Sequence, residues 1–308
     1  MRRRIPLFVG WDLTYRCNLD CKYCKIPQIE PLIELSTKEV CEGIEQLWAL
    51  GTKRIHFGGG EVLLRDDLGQ ILTLCKQRGI STVVLTNGVL FEEKIDVIKL
   101  SDMVKISFDG NENAHDSLRG KGTHKKVLRA LELARSNGIK MTLNCSLHAG
   151  NVDQVDYILK VSNELKVPVK FQIINAFLSG DKDISSYALS NTQKKVILKY
   201  LINKKKKNKN IINSIEALKY MYAYPNVRNI TCCAGKIYAR INSNGYLYPC
   251  QMTHDKTNKS PFTQTSIEEE FKKVVSVNCR HCLCTTTLEL NFIYSLKLGA
   301  IFNGLKKF

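Results

Sequence analysis

The chain contains no uncharged apolar run approaching the ~18 residues that a membrane-crossing helix needs, so no such helix is expected. It also lacks a secretory signal. Arg2, Arg3 and Arg4 look like a basic leader, but the apolar stretch behind them is broken by Pro6 and ends at Asp12 without a cleavage site, so a cytoplasmic location is expected. Acidic side chains are scarce. There are 29 Asp and Glu against 46 Lys and Arg, a formal charge of +17. That imbalance calls for an anionic partner: an acidic peptide, a phosphorylated small-molecule substrate, a nucleic acid or a membrane surface. General disorder is excluded, because 44% of residues are hydrophobic and only 24% charged.

The even spread of cysteines that marks a disulfide framework is missing too. Of twelve cysteines, three crowd between residues 17 and 24 and six between 232 and 284. Cys41, Cys75 and Cys145 sit singly in apolar patterns and read as buried spectators. Clusters of this kind point to metal sites in a reducing compartment. Thiolates and a bound cluster would draw the charge below +17 and leave it basic.

From residue 7 to about 176, strand-like and helix-like segments alternate. The expected strands are Leu7–Leu13, Arg54–Gly58, Thr82–Leu85, Met103–Phe108, Lys140–Leu147 and Val169–Ile174, each short and rich in β-branched or aromatic residues. Helical patterns fill the gaps. One opens at Ser36 or Thr37 and puts Val40, Ile44, Leu47 and Trp48 on one face; a second carries Leu68, Ile71, Leu72 and Cys75 and stops at Gly79. A third runs through Val127, Leu131 and Ala134 to Gly138, and a fourth carries Val155, Ile158 and Leu159. Six such units predict an α/β fold, a parallel sheet curved into a partial (β/α)6 TIM-like barrel, with its site at the C-terminal ends of the strands. After residue 178 the rhythm stops. Ser179–Ser190 reads as a polar loop, and helices are expected over Asn191–Lys207 and Ser214–Tyr222. A cysteine- and turn-rich stretch follows, giving a barrel over 1–226 and a small second domain over 227–308.

Cys17, Cys21 and Cys24 follow the first strand directly. Three thiolates this close converge only if the chain loops round one centre, and soft thiolates select zinc, copper or iron–sulfur. Three ligands rather than four leave one open coordination position. This C-x3-C-x2-C spacing, with Tyr23 before the third cysteine, resembles the radical S-adenosylmethionine (SAM) superfamily. So do Gly58-Gly59-Gly60-Glu61 at the second strand end, Thr86-Asn87-Gly88 after the third and Ser107-Phe108-Asp109-Gly110 at the fourth. The stretch His115–Gly120 resembles the loop that follows. Val62 departs from the proline usual after the glutamate. The resemblance implies a 4Fe–4S cluster on Cys17, Cys21 and Cys24. It also implies a SAM site drawing on Tyr23, Gly59, Gly60, Glu61, Asn87, Ser107, Asp109 and Asn144. Asn144 and Gln172 are candidates to face the cavity. A zinc knuckle is the plainer alternative for the thiolate trio, and strand-end caps for the polar residues.

Cys232-Cys233 is followed by Asn244-Gly245, a two-residue hairpin signal, which folds Cys250 back toward Cys233. Cys279 and Cys282 can close a four-thiolate site, with Cys232 and Cys284 as spares. Cys233-x11-Gly245-x4-Cys250 resembles the opening of the twitch/SPASM domain of radical SAM enzymes. That implies Cys233, Cys250, Cys279 and Cys282 as the ligands of one auxiliary 4Fe–4S cluster; a zinc ribbon fits the spacing as well. The Lys204–Lys207 run reads as a solvated helix end, and the apolar tail Leu288–Phe308 as a segment packed on the core, with an anionic membrane surface as the alternative.

The resemblance implies an electron donor such as flavodoxin or ferredoxin, and hydrogen abstraction by a 5′-deoxyadenosyl radical. Modification of a peptide or protein ranks above oxidation or deoxygenation of a sugar- or lipid-linked metabolite. No N-terminal peptide-recognition domain is expected, because the first cysteine stands at residue 17. Nucleic acid is the less favoured partner, and a non-catalytic iron–sulfur or zinc protein is the rival outside enzymes.

Overall fold

The computed structural model describes residues 4–24, 26, 33–174, 186–227, 230–274 and 282–296. Its frame is an eight-stranded sheet in the order β6-β5-β4-β3-β2-β1-β7-β8. The strands are β1 (Phe8–Thr14), β2 (Arg54–Gly59), β3 (Ser81–Thr86), β4 (Met103–Ser107), β5 (Met141–Leu147), β6 (Val169–Ile173), β7 (Tyr238–Ile241) and β8 (Leu247–Tyr248). β1 through β6 pair in parallel with their sequence neighbours, as strand–helix–strand units dictate. The six expected strands all form, with ends shifted by a residue or so. β7 adds in parallel to the free edge of β1, and β8 returns antiparallel through the turn at Gly245, whose φ of 88 suits glycine.

The helices are α1 (Thr37–Leu50), α2 (Leu68–Gln77), α3 (Ile95–Ile98), α4 (Glu112–Arg119), α5 (Thr123–Ser136) and α6 (Val155–Leu165), then α7 (Asn191–Lys207), α8 (Ile215–Ala223), α9 (Ile267–Lys273) and α10 (Thr285–Tyr294). α1 shows why they form where they do. Ser36 accepts from the Glu39 N–H while the Glu39 side chain returns to the Ser36 N–H, a reciprocal cap worth ~1 kcal/mol. Val40, Ile44 and Leu47 recur on one face and are buried, each contributing ~1.5–3 kcal/mol by leaving water. Gly51 ends the helix in the left-handed conformation.

Alternation along the strands sorts residues to two faces. Val9, Trp11 and Leu13 of β1, Ile55 and Phe57 of β2, and Val104 and Ile106 of β4 join the main apolar core. The intervening positions, among them Asp12, His56, Lys105, Asn144, Gln172 and Arg240, line shared cavities on the other side. Side chains from strands as far apart as β6 and β7 reach one cavity only if the sheet curls round it, so the α/β architecture is an open, partial barrel.

Three local expectations changed. The stretch 115–120 is not loop but the end of α4, capped by the Asn111 side chain accepting from the Ala114 N–H. Cys75 and Cys145 are buried, but Cys41 is only half-buried on α1. The lysine run is partly engaged: Lys204 pairs with Asp156 at 2.8 Å. Residues 179–185 of the expected loop and 297–308 of the tail lie outside the described residues. The described start of that tail is α10, which buries Leu288 and Phe292.

Candidate active site

The cysteine loop leaves β1 beneath the ends of β2, β3 and β4. Its position follows from close backbone approach. A Cβ on Gly59 would stand 2.1 Å from the Thr14 carbonyl oxygen, and one on Gly60 2.1 Å from that of Arg16, so only glycine lets β2 run this near the loop. The buried Arg65 guanidinium adds a clamp, donating to the carbonyls of Leu13 and Leu35 and to Asp67.

Cys17, Cys21, Tyr23 and Cys24 line a cavity of about 280 Å³ together with Gly59, Gly60, Asn87, Ser107, Asn144 and Gln172. Ser107 and Asn144 are register partners across β4 and β5, which places both at one height on its wall. Gly58 also lines it, and a Cβ there would meet nothing nearer than 3.6 Å, so the missing side chain is open cavity. Two expected residues stand behind the wall instead. Glu61, 0% exposed, accepts from the Asn87 N–H at 2.7 Å, the Thr86 hydroxyl at 3.0 Å and the Leu63 N–H at 3.1 Å. Burial pushes its carboxyl up to about 7, against the pull of those donors. It joins the ends of β2 and β3 and so sets Asn87, whose side-chain amide donates to Asn18 at 2.7 Å beside Cys17. Asp109 is also 0% exposed and accepts from Arg119 at 2.6 Å and from the Ser146 N–H at 2.8 Å.

Arg119, at the end of α4, is the residue that sequence reasoning passed over. Besides Asp109 it donates to the Tyr23 hydroxyl at 2.7 Å and stands 4.0 Å from the Cys21 sulfur. The Lys22 N–H bonds the neighbouring Leu118 carbonyl. The cysteine loop is thus bolted to α4, and α4 to the end of β4. The signal was present as an arginine just before Gly120, but which helix face it occupied required α4 to be recognised.

Burial raises the thiol of Cys17, and pushes Cys21 up to about 11 although the Arg119 charge opposes it. Cys21 also feels the charges of Cys24 and Cys17, so the three sulfurs share one small volume. Thiolates there need a positive centre, which a metal cluster supplies. Among the described residues no three His, Cys, Asp or Glu close on a single ion. Three cysteine donors lining one cavity suit an iron–sulfur cluster, in which each thiolate takes a different iron.

Residues 11–160 match the family model described as the radical SAM superfamily. These residues form a radical SAM domain. The family implies a 4Fe–4S cluster and SAM. A curated relative, Fe-coproporphyrin III synthase of Methanosarcina barkeri (strain Fusaro / DSM 804), is 35% identical over 167 residues, 52% of this chain and 42% of that protein. The fold matches the crystal structure of Streptococcus suis SuiB bound to S-adenosylmethionine at a TM-score of 0.70, with 15% identity over 86% of this chain and 65% of that one. It also matches native anSMEcpe with bound AdoMet and Cp18Cys peptide at 0.69, with 18% identity over 97% and 99%. The matched region therefore spans less than half of the curated relative and under two thirds of SuiB.

The C-terminal cysteines gather beside β7 and the start of α10. Cys233 and Cys250 are buried in a small apolar cluster with Tyr238 and Met252, and Cys232 and Cys284 pack against it. Asn291 of α10 accepts from the Cys233 N–H at 2.8 Å and donates to the Cys282 sulfur at 3.2 Å. Cys279 lies outside the described residues. Cys284, ranked as a spare from the sequence, lines the same cavity as Cys17, Cys21 and Cys24. Burial alone would raise its thiol. The Thr287 N–H at the start of α10, with the Lys170 and Arg240 charges, outweighs burial and lowers it. Among the described residues no helix is long and apolar enough to cross a membrane.

Proposed function

We propose that this chain is a radical SAM enzyme whose cluster is held by Cys17, Cys21 and Cys24. The observation that carries the reading is the convergence of these three thiols on the cavity that Gly58–Gly60, Asn87, Ser107 and Asn144 also line. With SAM bound beside it, a cluster held by these cysteines would supply the one-electron chemistry that starts hydrogen abstraction from a substrate C–H. The protein's own tasks are positional. Gly58–Gly60 leave room for the methionine portion of SAM, and Asn87, Ser107 and Asn144 present amide and hydroxyl groups to its polar atoms. Tyr23 and Arg119 hold the cysteine loop rigid, and the enclosing strands keep water from the reacting carbon.

Residues 227–308 form, in this reading, an auxiliary-cluster unit of twitch type. Cys233, Cys250, Cys279 and Cys282 are its ligands, and Cys284, nearest the central cavity, is the substitute. The cluster there would accept or relay an electron, and a flavodoxin- or ferredoxin-like protein would supply the first one. A Cys17/Cys21/Cys24→Ala variant, reconstituted anaerobically, retains about four irons on this second site. Bound zinc with no iron in that variant would refute the auxiliary cluster.

For the substrate, modification of a peptide has the support that SuiB was also solved bound to precursor peptide SuiA, a fold match at 16% identity and a TM-score of 0.71. A small carboxylate-bearing metabolite is the second reading, favoured by the 35% identity to Fe-coproporphyrin III synthase. Mass spectrometry of anaerobic reactions with candidate substrates decides between them: a mass change confined to a peptide supports the first, one confined to a metabolite the second.

A further inference from the structure

α10 turns three faces to three different surroundings, as a helix advancing about 100° per residue can. Thr286, Glu289 and Ile293 share one face, and all three line the barrel interior. Thr285, Leu288 and Phe292 share a second, on which Leu288 and Phe292 join the main apolar core. The third carries Thr287, Leu290, Asn291 and Tyr294 and faces the C-terminal cysteines. Leu290 and Tyr294 pack there against the small cluster of Cys233, Cys250, Tyr238 and Met252, as does Cys284 just before the helix.

On this third face both ends of the Asn291 amide are committed. Accepting from the Cys233 N–H and donating to the Cys282 sulfur, it ties together two cysteine segments far apart in sequence. Thr287 stands one turn nearer the helix start, between Asn291 and Cys284. Its N–H points at the Cys284 sulfur. Its hydroxyl is the unexplained group: the residue is 1% exposed, and the oxygen has no hydrogen-bond partner among the described residues. A helical threonine commonly returns its hydroxyl to a carbonyl three or four residues back. For Thr287 the residue four back lies before the helix, and the Cys284 carbonyl three back is taken by the Leu288 N–H. Folds rarely leave a buried donor without an acceptor. The polar atoms gathered on this side are sulfurs, so a sulfur-rich group held by these cysteines supplies what the hydroxyl lacks.

Hydrogen bonds to the sulfurs of an iron–sulfur cluster stabilise its reduced, more negative form and so raise its potential. The positive end of α10 acts in the same direction. We infer that the Thr287 hydroxyl donates to a sulfur of the auxiliary cluster and, with the α10 N-terminus, raises the reduction potential of that cluster, poising it to take an electron. The acceptor rests on the auxiliary-cluster reading of Cys233, Cys250, Cys279 and Cys282; the orphaned hydroxyl on the cysteine-facing side of α10 does not.

The test is a potentiometric titration followed by electron paramagnetic resonance. It uses the full chain carrying Cys17/Cys21/Cys24→Ala, reconstituted anaerobically so that only the auxiliary site is loaded. Iron is counted first. Adding Thr287→Val lowers the midpoint by about 59 mV, a tenfold change in the one-electron equilibrium. Thr287→Ser, which keeps the hydroxyl, stays near the parent. Thr285→Val also removes a buried, unpartnered hydroxyl, but from the face turned to the main core, and leaves the midpoint where it was. Should Thr287→Val not retain iron, Thr287→Ala, the better helix former, is titrated in its place. An unchanged midpoint in the hydroxyl-free variant overturns the inference. So does a fall in Thr287→Ser or Thr285→Val as large as that in Thr287→Val. Absence of iron from the parent overturns the auxiliary-cluster reading and this inference with it, whereas about four irons with an unmoved midpoint overturns this inference alone.

Discussion

Arg119 shows how much of the site's rigidity rests on one side chain. Its charge is buried between the Asp109 carboxylate, the Tyr23 hydroxyl and the Cys21 sulfur. Removing one member of a buried pair leaves the other charge desolvated and unpaired, which costs about 3–5 kcal/mol. Arg119→Met is expected to lose that much in anaerobic urea denaturation of the metal-free protein; a loss below about 1 kcal/mol would contradict the role given to the pair. Its neighbour His115 titrates with a definite sign. Burial, then the Arg119 charge, lower its imidazole from 6.5 to about 4. The neutral ring is the folded form, so its contribution is whole above pH 6.5 and is lost as pH falls through 4. His115→Phe, which keeps a ring beside Phe108, removes about 3 kcal/mol of the acid sensitivity between those limits. Denaturation curves at several pH values check this, and unchanged sensitivity counts against it. At this scale the sequence showed which residues are polar strand ends. It did not show that Glu61 and Asp109 turn behind the wall, because that depends on donors supplied by Thr86, Asn87 and Ser146 on other strands.

Among the elements, the end of β2 decides the site. Gly60→Ala forces the Arg16 carbonyl, 2.1 Å from the new Cβ, to move, and with it the cysteine loop. Gly58→Ala meets nothing closer than 3.6 Å. Thermal unfolding should separate them, Gly60→Ala falling by several degrees and Gly58→Ala by less than about 2 °C. Both should weaken SAM binding, the first by displacing the site and the second by filling it. Unchanged SAM affinity in Gly58→Ala would remove that glycine from the cofactor site. β1 through β6 and most of their helices were legible because each carries its own periodicity and stop signal. α4 was not, since its eight residues offer only Ala114 and Leu118 as apolar side chains. The pairing of β7 with β1 was not legible either: it joins residues more than 220 apart, and nothing local in Tyr238–Ile241 names its partner.

For the whole molecule, the excess of positive charge acquires a location. The sequence showed +17 and suggested an anionic partner. The barrel gathers part of that charge inside, from alternate positions of strands that otherwise read as apolar: Lys105, Lys170 and Arg240. A charged residue facing inward on a parallel strand is costly and was a usable signal, but its meaning required knowing that the strands curl round one space. The cysteine groups at 17–24 and 232–284 come to border that same space through Cys17, Cys21, Cys24 and Cys284. The most direct measurement is chromatographic. Anaerobic protein, reconstituted with iron and sulfide, is reduced in the presence of SAM, and 5′-deoxyadenosine is quantified beside the Cys17/Cys21/Cys24→Ala variant. Formation of the nucleoside by wild type and its loss in the variant is the expected result; none from wild type, or equal amounts from both, would contradict a radical SAM enzyme built on these three cysteines.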